Sequence, residues 1–183
     1  GCTHLIIEVT SESVPQYRHR FLEPEVLIVT NIQREHIESH GSFEKYVAAK
    51  RTIVDTLVHS MKRNRILVAN GDIPESRTFL SANVSKTIAF GAEELQHLAG
   101  DERSVNFEYG GVHFSLPLPV SFNAMNALAA IKTTEALSIP LATTASALAV
   151  LPPVRGRVER IEEGQKFTVI VDYAHTPDSL RAL

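Results

Sequence analysis

Three short apolar runs, Leu5 to Val9, Val26 to Thr30 and Ile66 to Ala69, are separated by stretches in which apolar residues recur at three-and-four spacing. A strand of continuous aliphatic residues must be covered on both faces, and crossover helices between parallel strands do that. The alternation therefore predicts an α/β fold with a mostly parallel sheet flanked by helices. The clearest helix is predicted from Phe43 to Lys62, with its N-cap supplied by Gly41-Ser42 and a buried face made of Tyr46, Ala49, Ile53, Val54, Leu57 and Met61. Lys86 to Gly91 reads as a further strand. Val105 to Tyr109, Gly110-Gly111 and Val112 to Leu116 read as an antiparallel hairpin inserted into the parallel pattern. Two alanine-rich helices follow, Phe122 to Leu137 and Thr143 to Leu151, before Pro152-Pro153 breaks the pattern. A domain boundary is expected there, with 1–152 forming one domain and 153–183 beginning another. Past it, Arg157 to Ile161 and Lys166 to Val171 form a second hairpin-like pair.

Composition narrows the classes. A chain of 183 residues with 44% hydrophobic content and a formal charge of −3 can bury a core. No apolar run approaches the roughly 18 residues that a membrane span needs, and no charged-then-apolar leader is evident. One cysteine, Cys2, rules out an internal disulfide framework and makes a reducing, cytoplasmic setting the expectation. A near-neutral balance without a basic block or a tryptophan argues against a nucleic-acid binder. The strand pattern begins at Thr3 and a first helical turn is under way at Leu183, so the chain is expected to be part of a longer protein.

Several polar residues stand where such a fold places ligands. Phe167 to Val171 reads as a buried strand whose carboxyl end delivers Asp172, with His175 in the same loop. In open α/β sheets ligands bind at that edge, and a carboxylate there can accept from a pair of sugar hydroxyls. The same residues also suit an Asx-type turn ahead of a helix starting at Thr176-Pro177-Asp178. Glu8 leaves the first apolar run beside Thr10 and Ser11, a hard-oxygen set of the kind Mg²⁺ prefers; a strand-end glutamate facing water is the plainer alternative. His36 and His40, interleaved with Glu35 and Glu38, look like a metal cluster, but a zinc site needs a third ligand and the cysteine is remote in sequence. Arg18 could grip a phosphate or carboxylate at two points, or be one of a solvated trio with His19 and Arg20. Asn123 and Asn126, three apart on one helical face, could read a nucleobase edge or serve as ordinary caps.

Taken in order, Glu8-Val9-Thr10-Ser11, Thr30-Asn31, His36, His40-Gly41, Tyr46, Ala48-Ala49-Lys50, Phe122-Asn123-Ala124-Met125-Asn126, Gly156-Arg157-Val158-Glu159 and Asp172 to Asp178 resemble the Mur ligases, specifically the MurE type. The resemblance implies a P-loop-type central ATPase domain over 1–152 and the start of a Rossmann-like C-terminal domain over 153–183. It implies that Glu8 and His36 bind Mg²⁺ and that Lys50 is carbamylated, a change that turns a cation into a carboxylate-like anion. Lys50 and His36 then carry catalytic roles. Thr10, Gln16 and Arg18 match positions that hold the UDP-sugar peptide. Asn123 and Asn126 match the adenine end of ATP, Asp172 its ribose, and Arg157 and His175 lie beside the nucleotide. The implied activity is ATP-dependent addition of L-lysine or meso-diaminopimelate to UDP-MurNAc-L-Ala-D-Glu through an acyl phosphate, by a cytoplasmic monomer whose partners are the UDP-sugar peptide and the amino acid.

Departures and rivals bound that expectation. Glu12 stands where the family carries histidine, Glu35 and Glu38 replace aspartates, and Val120 replaces a glycine two residues before the Phe-Asn pair. No Gly-rich segment ending in Gly-Lys-Ser/Thr occurs; in the family that loop lies upstream of Glu8, and without it the chain is not expected to turn over alone. The rivals are a non-catalytic nucleotide or UDP-sugar binding module and a superfamily relative of the folylpolyglutamate synthase kind.

Overall fold

The computed structural model describes residues 1–33 and 37–183, which divide into two compact units, Gly1–Phe90 and Gly91–Leu183. In the first unit, β1 (Val26–Val29), β2 (Ile66–Asn70) and β3 (Lys86–Phe90) form a parallel sheet in the order β1-β2-β3. Every residue of β2 is buried, as its unbroken aliphatic run demands of a central strand. Between β1 and β2 come a short helix α1 (Ile37–His40) and the long α2 (Phe43–Val58). α2 begins as the sequence predicts, with the Ser42 hydroxyl accepting from the Lys45 amide at 3.2 Å. Tyr46, Val54 and Leu57 pack with Ile32, Leu67 and Phe79, the last from the 3₁₀ turn that follows α3 (Pro74–Arg77).

Two expectations fail in this unit. α2 stops at Val58 rather than Lys62, and Met61 is 88% exposed instead of lying on the buried face. The Ser60 hydroxyl donates to the Pro24 carbonyl at 2.7 Å and the Met61 amide donates to the Glu23 carboxylate, so the chain is drawn off the helix axis towards the start of β1. Nor do Leu5 to Val9 form a strand. Leu5 and Ile6 are 78% and 96% exposed, and among the described residues no backbone hydrogen bond joins this run to β1. A strand exists only through its ladder, and apolar composition does not substitute for a partner.

The second unit carries the predicted hairpin, extended by one strand. β4 (Gln96–Gly100), β5 (Val105–Tyr109) and β6 (Val112–Leu116) form an antiparallel sheet in sequence order. Gly110 and Gly111 turn the β5–β6 hairpin with φ of 57° and 74°, the left-handed pair that a two-residue loop requires. A Cβ on Gly110 would also come within 2.9 Å of Leu141. Val105, Phe107, Phe114 and Leu116 face α4 (Phe122–Ala136) and α5 (Leu141–Leu148), burying Ala124, Ala127, Ile131 and Leu148, and the two phenylalanine rings stack at 5.3 Å. Small alanines on α4 let the helix lie close to the aromatic face of the sheet. α5 starts two residues before the predicted Thr143, directly after Pro140, and ends three residues before Leu151.

Beyond α5, β7 (Glu159–Ile161) pairs antiparallel with β8 (Val169–Val171), and α6 (Pro177–Ala182) starts behind a capping Thr176. The expected buried strand from Phe167 is corrected here. Only three residues pair, and Phe167, Ile170 and Val171 are exposed, because a two-stranded ribbon supplies no second layer to cover them.

Candidate functional site

In the first unit the polar residues collect at the carboxyl edge of the parallel strands. β1 runs into Thr30-Asn31, and β2 ends in the buried Asn70. The Asn70 amide donates to the Thr30 carbonyl at 3.1 Å and its oxygen accepts from the Asp72 amide at 3.0 Å, so one side chain braces both strand ends. Lys50 reaches this edge from α2. Its Nζ donates to the Asn31 carbonyl at 3.3 Å and lies 5.2 Å from the centre of the Tyr46 ring.

Two short turns complete this region. In the 3₁₀ turn Ser11–Ser13, the Ser13 amide and hydroxyl both donate to the Thr10 carbonyl, at 3.0 and 2.6 Å. α1 faces it: Ser39 Oγ donates to Glu12 at 2.8 Å, and His40 Nε2 lies 3.1 Å from Ser11 Oγ. The His40 ring meets the fully buried Tyr46 edge-on, with centroids 5.7 Å apart. Thr10, His40, Tyr46, Lys50 and Asn31 are thus connected through contacts spanning 40 residues of sequence, of which the order of motifs names the members but not the links. Gln16 and Arg18 follow the turn as exposed side chains, with the Arg18 amide returning to the Ser13 carbonyl at 3.0 Å. Glu8 is exposed two residues ahead of Thr10. His36 and Glu35 lie outside the described residues.

Whether these groups suit Mg²⁺ depends on their donor atoms. The Glu8 carboxylate, the Thr10 hydroxyl and the Asn31 carbonyl are the hard oxygens this ion takes. An ammonium at Lys50 repels a dication, whereas a carbamate on the same nitrogen adds a hard anionic oxygen pair, so the set fits the ion in that form. No group of three or more His, Cys, Asp or Glu side chains gathers among the described residues, which do not include Glu35 and His36. A hollow of about 180 Å³ lined by Arg51, Val54, Asp55, Phe79 and Ala82 includes none of the candidate site residues.

The second unit holds two further groups. The Asp172 carboxylate accepts from the Val158 amide at 2.7 Å and, through its other oxygen, from the Ala174 amide at 2.6 Å. The second bond is the Asx turn that the sequence allowed. A carboxylate has about four acceptor positions, so the turn leaves room for a hydroxyl pair. The Tyr173 amide donates to the Gly156 carbonyl at 2.9 Å, the Arg157 guanidinium lies 5.1 Å from the Tyr173 ring centre, and the His175 ring packs edge-on at 4.9 Å. Arg157, Asp172 and His175 are therefore brought together around Tyr173, whose bridging part no local pattern signals.

Asn123 and Asn126 sit in the first turns of α4, joined by a 3.3 Å contact from the Asn126 amide to the Asn123 oxygen. The Asn123 amide also holds the Pro119 carbonyl. Just upstream, Val120 has φ of 72°, and its carbonyl accepts from the backbone N–H of Asn123 at 3.1 Å. Farther along α4, Lys132 pairs with Glu94 and lies 4.8 Å from the Tyr109 ring centre, while the Tyr109 hydroxyl donates to Glu135 at 2.8 Å. Burial alone would lower the Lys132 pKa, but the bonds to Glu94 and Tyr109 outweigh it and hold the ammonium above its ordinary range. Burial and the Glu135 carboxylate push the Tyr109 phenol up against the opposing effect of Lys132. This cluster pins α4, and with it the asparagine pair, to the β-sheet. Among the described residues no helix is long and apolar enough to cross a membrane.

Residues 1–134 match the model of the Mur ligase middle domain. A UDP-N-acetylmuramyl-tripeptide synthetase of Roseiflexus sp. (strain RS-1) is 35% identical over 207 residues, covering 100% of this chain and 40% of that protein. A UDP-N-acetylmuramoyl-L-alanyl-D-glutamate--2,6-diaminopimelate ligase of Geobacillus thermodenitrificans (strain NG80-2) is 34% identical over 193 residues, covering 98% of this chain and 39% of that protein. Among solved structures, a MurF ligase from Thermotoga maritima in complex with ADP superimposes with a TM-score of 0.65 at 23% identity, over 87% of this chain and 38% of that one. The chain spans about two fifths of the length of the curated relatives it matches.

Proposed function

The chain belongs to the Mur ligase family, whose middle domain it carries over residues 1–134, and from that premise we propose that it is part of an ATP-dependent amide ligase of the MurE type. In this reading ATP phosphorylates the terminal carboxylate of UDP-MurNAc-L-Ala-D-Glu, releasing ADP. The amine of lysine or diaminopimelate then attacks the acyl phosphate, forming the amide and releasing phosphate. The observation that carries the reading is the set of contacts linking Lys50 to Asn31, Tyr46, His40 and the turn after Thr10. It joins the end of the site assigned to metal and phosphate to the end assigned to the sugar peptide.

The residues divide the work. Thr10, Gln16 and Arg18 hold the UDP-sugar peptide, with the Arg18 guanidinium suited to a diphosphate or carboxylate. Asn123 and Asn126 bind adenine, Asp172 the ribose, and Arg157 and His175 flank the nucleotide. Glu8, His36 and a carbamylated Lys50 hold Mg²⁺, which when bound supplies neutralisation of phosphate charge. Carbamylation joins the Lys50 amine to CO₂ and releases one proton. The reading places the protein in the cytoplasm, where ATP is available, and takes it as a monomer.

Calorimetric titration of Mg²⁺-ATP into the full-length protein, with and without Lys50→Ala, tests this. Binding that weakens at least about tenfold in the variant, the loss usual when a metal's supporting shell is cut, supports the assignment. Absence of ATP binding in the unmodified protein overturns the ligase reading in favour of a binding module.

A further inference from the structure

The mechanism as proposed gives no part to His40, yet the structure sets this side chain between the two halves of the first unit's site. The Thr10 side chain is exposed, and its direction is set by the Ser11–Ser13 turn, which Ser13 closes by bonding the Thr10 carbonyl twice. Two of the contacts that hold that turn against the helical layer are Ser39 to Glu12 and His40 to Ser11. The first is exposed, where water competes for both partners and the bond adds little. The second involves a serine that is only 3% exposed, so its loss would strand a buried hydroxyl. On its other side the His40 ring packs on Tyr46, which is fully buried and itself carries Lys50 over its ring.

We propose that His40 is a positioning residue that sets the Thr10 turn at a fixed place relative to Lys50, and so governs capture of the UDP-sugar peptide rather than binding of ATP. The proposal rests on the reading of Thr10 and Lys50 given above. The asymmetry follows from how each end is anchored. Lys50 is held by α2, whose buried face is locked into the core by Tyr46, Val54 and Leu57 whatever His40 does. The turn is three residues long and lies outside the sheet, so loss of the bond to the buried Ser11 hydroxyl weakens its hold on the helical layer more than it weakens α2. A misplacement of about 1 Å caused by a change away from the reacting atoms can cost about a hundredfold.

Steady-state kinetics of the full-length protein, with UDP-MurNAc-L-Ala-D-Glu and ATP each varied in turn, decide the matter. His40→Leu keeps bulk against Tyr46 and removes the polar contact. It is expected to raise KM for the UDP-sugar peptide about tenfold, the effect of one hydrogen bond to a buried group, and to change kcat and the KM for ATP less than about twofold. His40→Gln, whose amide reaches about as far as Nε2, is expected to restore most of the loss. Ser11→Ala removes the same bond from the other partner and keeps the test decisive if His40→Leu folds poorly; the double variant should be no worse than either single one. An unmodified protein that is active while Ser11→Ala and His40→Leu leave the peptide KM unchanged overturns the positioning role alone. So does a proportional loss for both substrates, or a failure of glutamine to rescue. An unmodified protein with no ligase activity overturns the functional reading and this proposal together.

Discussion

Replacing Val120 separates backbone strain from side-chain packing at the entrance to α4. Val120 has φ of 72°, in the left-handed region, one residue before Ser121 and two before the helix that carries Asn123 and Asn126. For an L-residue that region costs about 1–2 kcal/mol, and β-branching makes it rarer still. Glycine has no such cost, but it loses about 0.5–1 kcal/mol through the greater freedom of its unfolded chain. Alanine keeps the strain and drops the half-buried methyl groups. Val120→Gly should therefore be more stable than Val120→Ala by about 0.5–1 kcal/mol, the difference between the two terms. At an ordinary strand or helix position the order is reversed by a similar amount, so the sign alone is diagnostic. Urea denaturation of the two variants, compared at equal slope, reads it directly. An alanine variant more stable than the glycine one would refute the argument that this position is strained.

Two further outcomes follow from the charged groups of the second unit. Lys132→Met leaves the Glu94 carboxylate, about a quarter exposed, without its cation. It should cost about 2 kcal/mol, discounted from the 3–5 kcal/mol of a fully buried pair, while Lys132→Met with Glu94→Gln costs less than the sum of the two singles. Because the folded pKa of Lys132 lies above its unfolded value, the pair's contribution is complete at neutral pH and fades from about pH 10 upward, which urea midpoints across alkaline pH would follow. Asp101 behaves in the opposite sense. The amides of Arg103 and Ser104 donate to its carboxylate at 2.7 and 2.8 Å and hold its pKa below the ordinary range, so its contribution to the β4–β5 turn is present at neutral pH and lost only as pH falls through that lowered value. Carboxyl NMR should show Asp101 titrating below the range usual for an aspartate.

Local chemistry made much of this fold legible. The start of α2 at Phe43, the Ser42 cap and the Gly110-Gly111 turn are each set by residues close in sequence, and each appears where expected. Misplaced elements depend on distant partners. Leu5 to Val9 and Phe167 to Val171 have the composition of buried strands, but burial is a property of what lies against them. β4 went unforeseen because Gln96–Gly100 is exposed along its whole length and has no apolar alternation, its pairing with β5 being the only thing that makes it a strand. The candidate site divides the same way. The order of motifs pointed to Thr10, Lys50, Asn123 and Asp172, whereas the bridging parts of His40 and Tyr173 arise from contacts between segments and have no local signature. Val120 is the instructive case: a departure from a family glycine, visible in the sequence, falls on a backbone conformation that glycine suits.

The contrast between the parallel and antiparallel sheets also sets a timetable for folding. β5 and β6 are joined by two residues, so their register can form within microseconds from a single turn. β1 cannot meet β2 until the whole stretch from Thr30 to Arg65 has been gathered in, and loop closure of that length must precede any reward from pairing. The nascent second unit therefore has a local nucleus, while the first waits with the aliphatic strand Ile66–Asn70 uncovered. In a cell, that interval is when Ile66, Leu67 and Val68 are open to chaperones and to other chains, so lesions that slow closure of α2 over the sheet should lower yield before they lower activity.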